Sequence, residues 1–536
     1  MSVFLLSEAD RAEIAVDADV CVVGAGIAGL VLATRLARSK RRIVVVESGG
    51  RRSDPECDLL NDAEVAAQGY SGFRNGRTRG LGGTSSLWGG RMLPLRPSDM
   101  AARPHVGLPA WPIPAEDLAP YPPQIEHLFG LDALSFEDDF LRRLGLEDSF
   151  GAARPDFSAR WPKWASFRKS NLAILLKEEL EAAAGPEIWL GATVTGFEMD
   201  HVAGRVLGAS AVGANGRSLR VTANEIVLAA GTIESTRLLL WLNECTDRHA
   251  FAGCTALGRY FSDHVSTIVG RLCATDPVVT TRLFGFHFVG DTRRNLHLET
   301  VPEAQEADRV GSSFAQVVIE TEPNSALDTI KNFLRGLQRR QVDLPLSKAA
   351  RLVGECPDLI RMAAWRYYRR RLYLPVGTKL LLSIVAEQLP HEANRIVLAA
   401  GLDRTGVPVP RIDWRVRTAE VRTFASTKSR LKTFWTRSGF DRSCPVEWHQ
   451  GACDEQHLTA ADGLDIFHPS GSARMGADRR TSVLDDQLRC HAIPNVSVVS
   501  AAAFPSAGSA NPTYALIQLA MRTADRLAAS TLARAA

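Results

Sequence analysis

Apolar and polar positions near the amino terminus follow a pattern that changes from strand to helix and back. The run DADVCVV, which includes Asp19 to Val23, is apolar and β-branched enough for a buried strand. GAGIAG follows at once and leads into LVLATRLARS, which is typical of a helix. After Arg41 and Arg42 comes a second apolar run, IVVVE. The pattern therefore predicts strand, tight turn, helix and strand.

The glycines of this turn have separate predicted tasks. Gly24 permits the turn, Gly26 lets backbone approach a pyrophosphate, and Gly29 lets the helix sit close against the strand. The helix amino terminus then faces the phosphates with the positive end of its dipole. Glu47 ends the second strand, where a carboxylate can accept both ribose hydroxyls of an adenosine. Because this acid would repel a 2′-phosphate, NAD and FAD stay open as ligands and NADP is disfavoured.

A second glycine-rich segment, GLGGTSSLWGGRM, runs from Gly80 to Met92. So dense a glycine run is conformationally costly unless the backbone must pass close to something flat or charged, and flavin is a good candidate. A flexible surface loop is the alternative. The interleaved Leu81, Leu87 and Trp88 favour burial over that alternative.

Later segments predict further strands and one helix. Residues 188–230 are typical of short strands around turns, EIVLAAG closes a buried strand on Gly231, and a helix begins at ESTRLLLWL. Residues 383–399 predict a strand, a loop and a strand within one sheet.

Length and composition limit the class of protein. A chain of 536 residues predicts two domains rather than one. A net charge of +3 is nearly balanced, so nucleic acid is not an expected partner. The nine cysteines lack CxxC or metal-ligand spacing, so neither disulfides nor a metal site is expected. Because no export signal or transmembrane run stands out, we expect a soluble, cytoplasmic protein.

Several motifs occur in a family-specific order: GAGIAG with Glu47, GGTSSLWGG, WPIPAEDLAPY, IVLAAGTIESTRLLL, HPSGSARMG and FPSAGSANPTYALIQLAMRTAD. With these motifs the chain resembles the glucose–methanol–choline (GMC) oxidoreductases, nearest in pattern to the pyranose oxidase and bacterial sugar dehydrogenase branch. The resemblance implies an α/β fold, with a three-layer Rossmann-like FAD-binding domain and an interleaved α+β substrate domain that contains a mostly antiparallel sheet. The implied FAD-binding domain comprises residues 15–100, 165–265 and 444–536, and the substrate domain comprises residues 101–164 and 266–443.

The resemblance also assigns the chemistry. Alcohol oxidation needs a hydride acceptor and a base for the hydroxyl proton, and histidine suits the base because its pKa lies near neutrality. His468, which opens HPSGSARMG, matches the family's base, and a buried structural histidine is the alternative interpretation. Asn511 matches the second polar group, which would orient the hydroxyl because an amide cannot act as a base. Since Pro512 fits the first turn of a helix, an N-cap is the other interpretation of Asn511.

FAD held noncovalently is the cofactor that the resemblance implies. Contacts with it are expected from Gly24, Gly26, Gly29, Glu47, Gly82, Gly83, Ser85, Ser86, Val194, Ala501, Ala502, Asn511, Pro512 and Thr513. Several sugar-oxidising relatives attach flavin through a histidine where this chain has Leu87, and leucine has no nucleophile. His264 and His449 are lesser candidates for the substrate face.

We therefore expect FAD-dependent oxidation of an alcohol, with sugars, glycosides or cyclitols as the leading substrate class. A bulky hydrophobic alcohol, such as a sterol or a natural-product intermediate, is the runner-up. A nonredox lyase with a structural flavin and a binding protein with an idle cofactor site are the alternatives from other classes. The electron acceptor stays open among oxygen, a quinone and a redox protein, and a homo-oligomer also stays open.

Residues 331–373 carry a different signal. The segment looks amphipathic and helical, and it holds eleven Lys and Arg against three Asp and Glu. A solvated helical face is the plain interpretation. The sharper hypothesis is a lid or docking arm that touches an anionic membrane surface, an acidic redox partner or another subunit.

Overall fold

The computed structural model describes residues 2–66, 69–151, 155–273, 277–321, 323, 326–339, 356–374, 378–450 and 465–535. Their strands form four sheets, and helices contribute to the hydrophobic core of the largest one. Within this part of the chain, no helix is long and apolar enough to cross a membrane.

The largest sheet holds the predicted dinucleotide-binding strands. Its members are β1 Val3–Leu5, β2 Glu13–Val23, β3 Ile43–Glu47, β8 Glu187–Leu190, β9 Thr193–Asp200, β10 Arg205–Val212, β11 Ser218–Leu228 and β21 Val496–Val498. Five of them run parallel in the order β1-β8-β3-β2-β11, and β21 joins the far edge of β11. Strands β10 and β9 extend the sheet in antiparallel pairing.

The second sheet is antiparallel throughout its described pairs, in the order β20-β12-β17-β16-β15-β6. Its members are β6 Phe157–Arg160, β12 His264–Leu272, β15 His297–Thr300, β16 Ser313–Glu320, β17 Lys379–Glu387 and β20 Val446–Trp448. A separate hydrophobic core packs against it, with Phe424, Leu431 and Phe434 among its fully buried members.

Two smaller sheets complete the strand structure. One comprises β5 Arg91–Met92, β7 Lys163–Trp164, β13 His287–Val289 and β14 Thr292–Arg294. The other comprises β4 Glu64–Val65, β18 Arg395–Leu402 and β19 Pro408–Asp413.

The described α-helices, in chain order, are α1 Ile27–Ala37, α2 Pro55–Asp58, α3 Pro97–Met100, α4 Pro122–Phe129, α5 Asp139–Leu144, α6 Glu147–Phe150, α7 Phe167–Ser170, α8 Leu172–Leu175, α9 Lys177–Glu181, α10 Gly231–Cys245, α11 Pro277–Phe284, α12 Pro302–Asp308, α13 Ala326–Arg339, α14 Cys356–Ala364, α15 Thr418–Arg437, α16 Phe440–Ser443 and α17 Pro512–Ala535. Helices α1 and α17 pack on each other beside the largest sheet, through apolar residues such as Leu32 and Leu519, which are fully buried. The carboxy-terminal helix thus covers the first crossover helix of the chain.

This architecture confirms the predicted fold class. A Rossmann-like parallel sheet and an antiparallel sheet are both present, and each has its own core. The parallel strands run in the buried, β-branched register that such sheets need, as in IVVVE of β3, where all five residues are buried.

One strand pairing differs from the prediction. Residues 383–399 do contain strand, loop and strand, but β17 pairs with β12 and β16, whereas β18 pairs with β19 in another sheet. The loop between them is fixed by Gln388 and Asn394, whose side-chain amides both donate to the Arg415 carbonyl. The prediction was wrong because alternation of apolar residues indicates a strand and does not indicate its partner.

The basic segment is only partly described, since residues 340–355 lie outside the described residues. The described end of helix α13 contacts the second glycine-rich segment, Gly80 to Met92. The Gln338 side-chain amide donates to the carbonyls of Ser85 (3.0 Å) and Trp88 (2.7 Å) in that segment. In turn, Asn171 donates to the Gln338 carbonyl at 2.7 Å. The described end of α13 is therefore anchored on the body of the protein.

Candidate active site

The turn after β2 leaves an open space in front of helix α1. Gly24 has φ +106°, a conformation that glycine adopts without strain. A Cβ on Gly29 would lie 2.0 Å from the Gly24 carbonyl oxygen, so the first turn of the helix needs glycine there. A Cβ on Gly26 would meet no protein atom within 4 Å. The amino terminus of α1 therefore faces a cavity rather than protein.

The Glu47 carboxylate is fixed at the end of β3 by backbone amides. Its Oε2 accepts from Ala25 N at 2.8 Å, and its Oε1 accepts from Gly49 N at 2.8 Å and Gly80 N at 2.9 Å. Glu47 is buried by the protein and lines the cavity in front of α1. The negative charge is thus held at the position where the sequence predicts a ribose partner.

The second glycine-rich loop packs on the first one. Gly82 N donates to the Ala25 carbonyl at 2.9 Å, and a Cβ on Gly83 would lie 3.0 Å from Gly26 Cα. Two predicted cofactor residues of this loop turn towards protein instead. Ser85 is fully buried, and its hydroxyl accepts from Leu172 N at 3.0 Å. Ser86 donates to the Gly83 carbonyl at 2.9 Å.

One cavity of about 220 Å³ connects the two predicted sites. Of the predicted residues, its wall includes Gly24, Gly26, Glu47, Gly83, Val194, His468, Ala501, Pro512 and Thr513. The predicted residues outside the wall are Gly29, Gly82, Ser85, Ser86, Ala502 and Asn511. His449 is exposed beyond β20 and is not among the wall residues. The cavity therefore runs from the end of β3 to His468.

Sequence analysis missed a charged cluster in this wall. Arg79 pairs with Glu234 at 2.7 Å, and Arg237 pairs with the other Glu234 oxygen at 3.2 Å. Burial would raise the pKa of Glu234, but Arg79, Arg237 and Arg77 outweigh burial and lower that pKa to about 2. The one sequence signal was Glu234 and Arg237 at i, i+3 near the start of α10, which directly follows EIVLAAG.

Two histidines form a directed chain of hydrogen bonds. His264 Nε2 lies 2.7 Å from the Gly508 carbonyl oxygen, which can only accept, so His264 carries its proton on Nε2. In the neutral ring, His264 Nδ1 is then an acceptor, and it lies 3.3 Å from His468 Nδ1. His468 must donate there, which leaves His468 Nε2 as a hydrogen-bond acceptor. The tautomer of His468 is thus set by His264.

Asn511 completes the chain at the far side of His468. Its Nδ2 donates to His468 Nε2 at 3.0 Å, while its Oδ1 is buried and has no partner among the described residues. The N-cap interpretation predicted that Oδ1 would accept from the first amides of α17, and no such bond is present. An unpartnered acceptor beside a histidine lone pair is a suitable site for a hydroxyl-bearing ligand.

Surrounding backbone holds the His468 loop in place. His468 N donates to Asp263 Oδ1 at 2.8 Å, and Asp263 Oδ2 accepts from the Tyr70 hydroxyl at 2.7 Å. The segment after His468 pairs with the Ala501–Ala503 turn, since Gly471 N donates to the Ala501 carbonyl. Gly471 has φ +71°, and a Cβ there would lie 2.1 Å from the Tyr260 carbonyl oxygen. This glycine is needed for the loop to reach the cavity.

The electrostatic environment keeps both imidazoles neutral. Burial lowers the pKa of His468 well below 6.5, and His264 and Arg91 lower it further. Burial also lowers the pKa of His264, with the Gly508 carbonyl acting in the opposite direction. A neutral His468, whose Nε2 lone pair faces the Asn511 amide, can accept a proton at neutral pH.

Comparison with known proteins supports the resemblance to GMC oxidoreductases. Residues 390–520 match the family model described as GMC oxidoreductase, and residues 22–53 match the model described as NAD(P)-binding Rossmann-like domain. The 2-methyl-1,2-propanediol dehydrogenase of Mycolicibacterium austroafricanum is 22% identical over 95% of this chain and 94% of that protein. Paromamine 6′-oxidase of Streptomyces fradiae is 24% identical over 96% of this chain and 92% of that protein.

A solved structure shows the same fold over the full length. Pyridoxine 4-oxidase from Mesorbium loti matches with a TM-score of 0.58 at 18% identity, over 95% of this chain and 98% of that one. The region that matches the GMC model contains both His468 and Asn511, and the long relatives are named as a dehydrogenase and an oxidase. On these grounds the chain is similar to the GMC oxidoreductases and is an oxidoreductase that acts on CH–OH groups.

Proposed function

We propose that this protein binds FAD noncovalently and oxidises an alcohol to a carbonyl, with His468 as the base. The observation that carries the proposal is the lone pair of His468 Nε2, which accepts from the Asn511 amide at one end of a cavity whose other end is Glu47. The proposed base His468 and the predicted dinucleotide site at Glu47 therefore line the same cavity.

The cavity residues fit FAD. The bare backbone at Gly26 leaves room for a pyrophosphate at the amino terminus of α1, and the fixed Glu47 carboxylate suits ribose hydroxyls. Val194, Ala501, Pro512 and Thr513 would contact the remainder of the cofactor. When bound, FAD supplies a hydride acceptor at its flavin ring.

The proton chemistry follows from the hydrogen-bond chain. A substrate hydroxyl that inserts between His468 and Asn511 donates to Nε2 and accepts from the Asn511 amide. His468 Nε2 then removes the hydroxyl proton as the substrate carbon that bears this hydroxyl is oxidised. His468 Nδ1 keeps its own proton, which it donates to His264. Asn511 holds the oxygen in place and offers its unpartnered Oδ1 to a second hydroxyl.

Sugars, glycosides or cyclitols are the proposed substrates. Paromamine 6′-oxidase and 2-methyl-1,2-propanediol dehydrogenase are named for polar compounds, which supports a polar alcohol over a sterol-like one. Leucine at position 87 supports noncovalent FAD at that point of the loop. The cytoplasmic location and the predicted domain boundaries stay predictions.

Anaerobic absorbance near 450 nm, with sugars, glycosides, sterols and simple alcohols added one at a time, tests the proposal. We expect one sugar-like compound to bleach the oxidised-flavin band, and His468→Ala to slow bleaching by roughly 10²- to 10⁴-fold while retaining FAD. His449→Ala is the matched control, because His449 is exposed and outside the cavity wall.

Two results would count against this function. Full activity of His468→Ala would remove the proposed base. Carbon–carbon cleavage of a compound without any bleaching would instead establish the nonredox lyase.

A further inference from the structure

The side chains of Arg91, Trp164 and Arg293 lie side by side on one face of the four-stranded sheet. Trp164 of β7 is directly opposite Arg91 of β5 and directly opposite Arg293 of β14. The guanidinium carbon of Arg91 lies 5.4 Å from the Trp164 ring centroid, and that of Arg293 lies 4.5 Å from it. Directly opposite residues share a face, so the indole lies between two cations.

On the opposite face of the same strands, the basic side chains have carboxylate partners. Lys163 pairs with Glu126 at 2.5 Å, and Arg294 forms an ion pair with Asp132. Within the described part of the chain, neither Arg91 nor Arg293 has a carboxylate within 4.0 Å. The polar contacts of the Arg91 guanidinium are the Gln316 side-chain oxygen at 2.7 Å and His297 Nε2 at 3.4 Å.

This arrangement leaves two cations without a counterion in a partly buried place. Burial lowers the pKa of Arg91 to about 10, and burial together with Arg335 lowers the pKa of Arg293 to about 10. An unpaired charge away from water is costly, and an anionic ligand would offset that cost.

Helix α13 adds positive charge to the same place. Its end is fixed by Gln338 on the Ser85 and Trp88 carbonyls, and Arg335 and Lys331 of this helix act electrostatically on Arg293 and on each other. Asp328 is the acid that acts on Lys331. The basic segment therefore contributes cations to the surroundings of Trp164.

The site lies next to the proposed chemistry. Arg91 belongs to the second glycine-rich segment, Gly80 to Met92, and a Cβ on Gly89 of that segment would lie 2.6 Å from the Trp164 ring. Arg91 also lowers the pKa of both His264 and His468, which places its charge within electrostatic reach of the base.

We propose that Arg91 binds an anionic group of the alcohol substrate, a carboxylate or a phosphate, and that Arg293, on the other side of Trp164, attracts the same anion through its charge. This inference rests on the proposed function and specifies its substrate class as an acidic, polar alcohol. Guanidinium groups suit both anions because they donate two parallel hydrogen bonds. Trp164 is held in place by its indole nitrogen, which donates to the Asn295 side chain at 2.7 Å, and its ring can carry the sugar-like part.

Calorimetric titration of acetate and of inorganic phosphate into the oxidised holoenzyme tests the site without turnover. We expect saturable binding of one of them, which decides between carboxylate and phosphate. Arg91→Met should weaken that binding roughly tenfold or more, the size of one charge-assisted contact, and Arg91→Lys should restore part of it. Arg366→Met is the matched control, because Arg366 also stacks on an aromatic ring, 4.0 Å from the Phe288 centroid, but lies 3.6 Å from the Asp291 carboxylate.

Arg293→Met provides an independent variant if Arg91→Met does not retain its circular dichroism spectrum and flavin absorbance. The site is refuted if neither anion binds saturably, or if both variants bind as the wild type does.

Bleaching by glucose, glucuronate and glucose 6-phosphate is then compared under anaerobic conditions. Anion binding without bleaching by any alcohol would refute the proposed function and leave the site standing, whereas bleaching by glucose without anion binding would do the reverse.

Discussion

The Nδ1 atoms of His264 and His468 lie 3.3 Å apart, with the two rings perpendicular at 90°. Only one of the two nitrogens can carry the shared proton, and the Gly508 carbonyl decides which, because it occupies His264 Nε2. His264 is accordingly a positioning residue whose effect passes through His468.

Replacing His264 tests this role. His264→Gln can accept from His468 Nδ1 and donate to Gly508 through one amide, whereas His264→Leu can do neither. We expect the leucine variant to reduce flavin about 10- to 100-fold more slowly, part of what a general base contributes, and the glutamine variant to recover most of the rate. Stopped-flow bleaching measures both. Equal rates in the two variants would mean that His264 serves packing alone.

The pH dependence of bleaching should reflect a depressed pKa at His468. Since only neutral His468 accepts a proton, activity is lost as pH falls through its pKa, which burial places below 6.5. The rate per substrate concentration should therefore stay level from pH 8 to 6.5 and fall only at lower pH. A midpoint at or above 6.5 would contradict the buried, neutral state.

Two glycines of the first turn should respond differently to the same methyl group. Gly26→Ala places a Cβ in open cavity, so we expect unchanged stability of the apoprotein and about tenfold or greater loss of FAD affinity. Gly29→Ala drives a Cβ to 2.0 Å from backbone and should destabilise the apoprotein itself by a few kcal/mol. Fluorescence of released FAD and urea unfolding of the apoprotein separate the effects. Gly196→Ala is the control, since a Cβ there meets nothing within 4 Å.

Acid should destabilise the protein partly through His287. This imidazole is buried at β13, its Nε2 has no partner, and burial lowers its pKa to about 4, with Arg371 adding to the effect. The unfolded chain binds a proton below pH 6.5 and the folded chain does not, so stability is full above 6.5 and falls towards pH 4. We expect His287→Phe to remove about 1.4 kcal/mol of this loss per pH unit. Urea midpoints of both proteins between pH 7.5 and 4.5 measure it, and parallel curves would contradict the assignment.

Local pattern was enough for the first half of the site. The β2 turn, α1 and β3 follow from apolar runs and glycine spacing, and the place of Glu47 at the end of β3 follows from them. His468 and Asn511 came from the family resemblance, because a loop histidine and an asparagine before proline carry no local sign of being neighbours.

Other features depend on pairings that no local pattern contains. The wrong pairing of β18, the Arg79–Glu234 contact and the Arg91–Trp164–Arg293 face all arise where strands or loops distant in sequence meet. Burial of Ser85 in the capping contact with Leu172 is of the same kind. Alternation predicts which residues are apolar, and register decides which charged residues become neighbours.

Gly24 and Pro512 line one cavity although nearly the whole chain separates them. Two elements from the last part of the sequence complete this region. Strand β21 pairs with β11 in the largest sheet, and the turn at Ala501–Ala503 pairs with the His468 loop. During synthesis from the amino terminus, the Rossmann strands leave the ribosome long before the segments that wall the cavity. A nascent chain therefore cannot enclose FAD until residues 496–516 have emerged, and cofactor capture falls at the end of folding rather than its beginning.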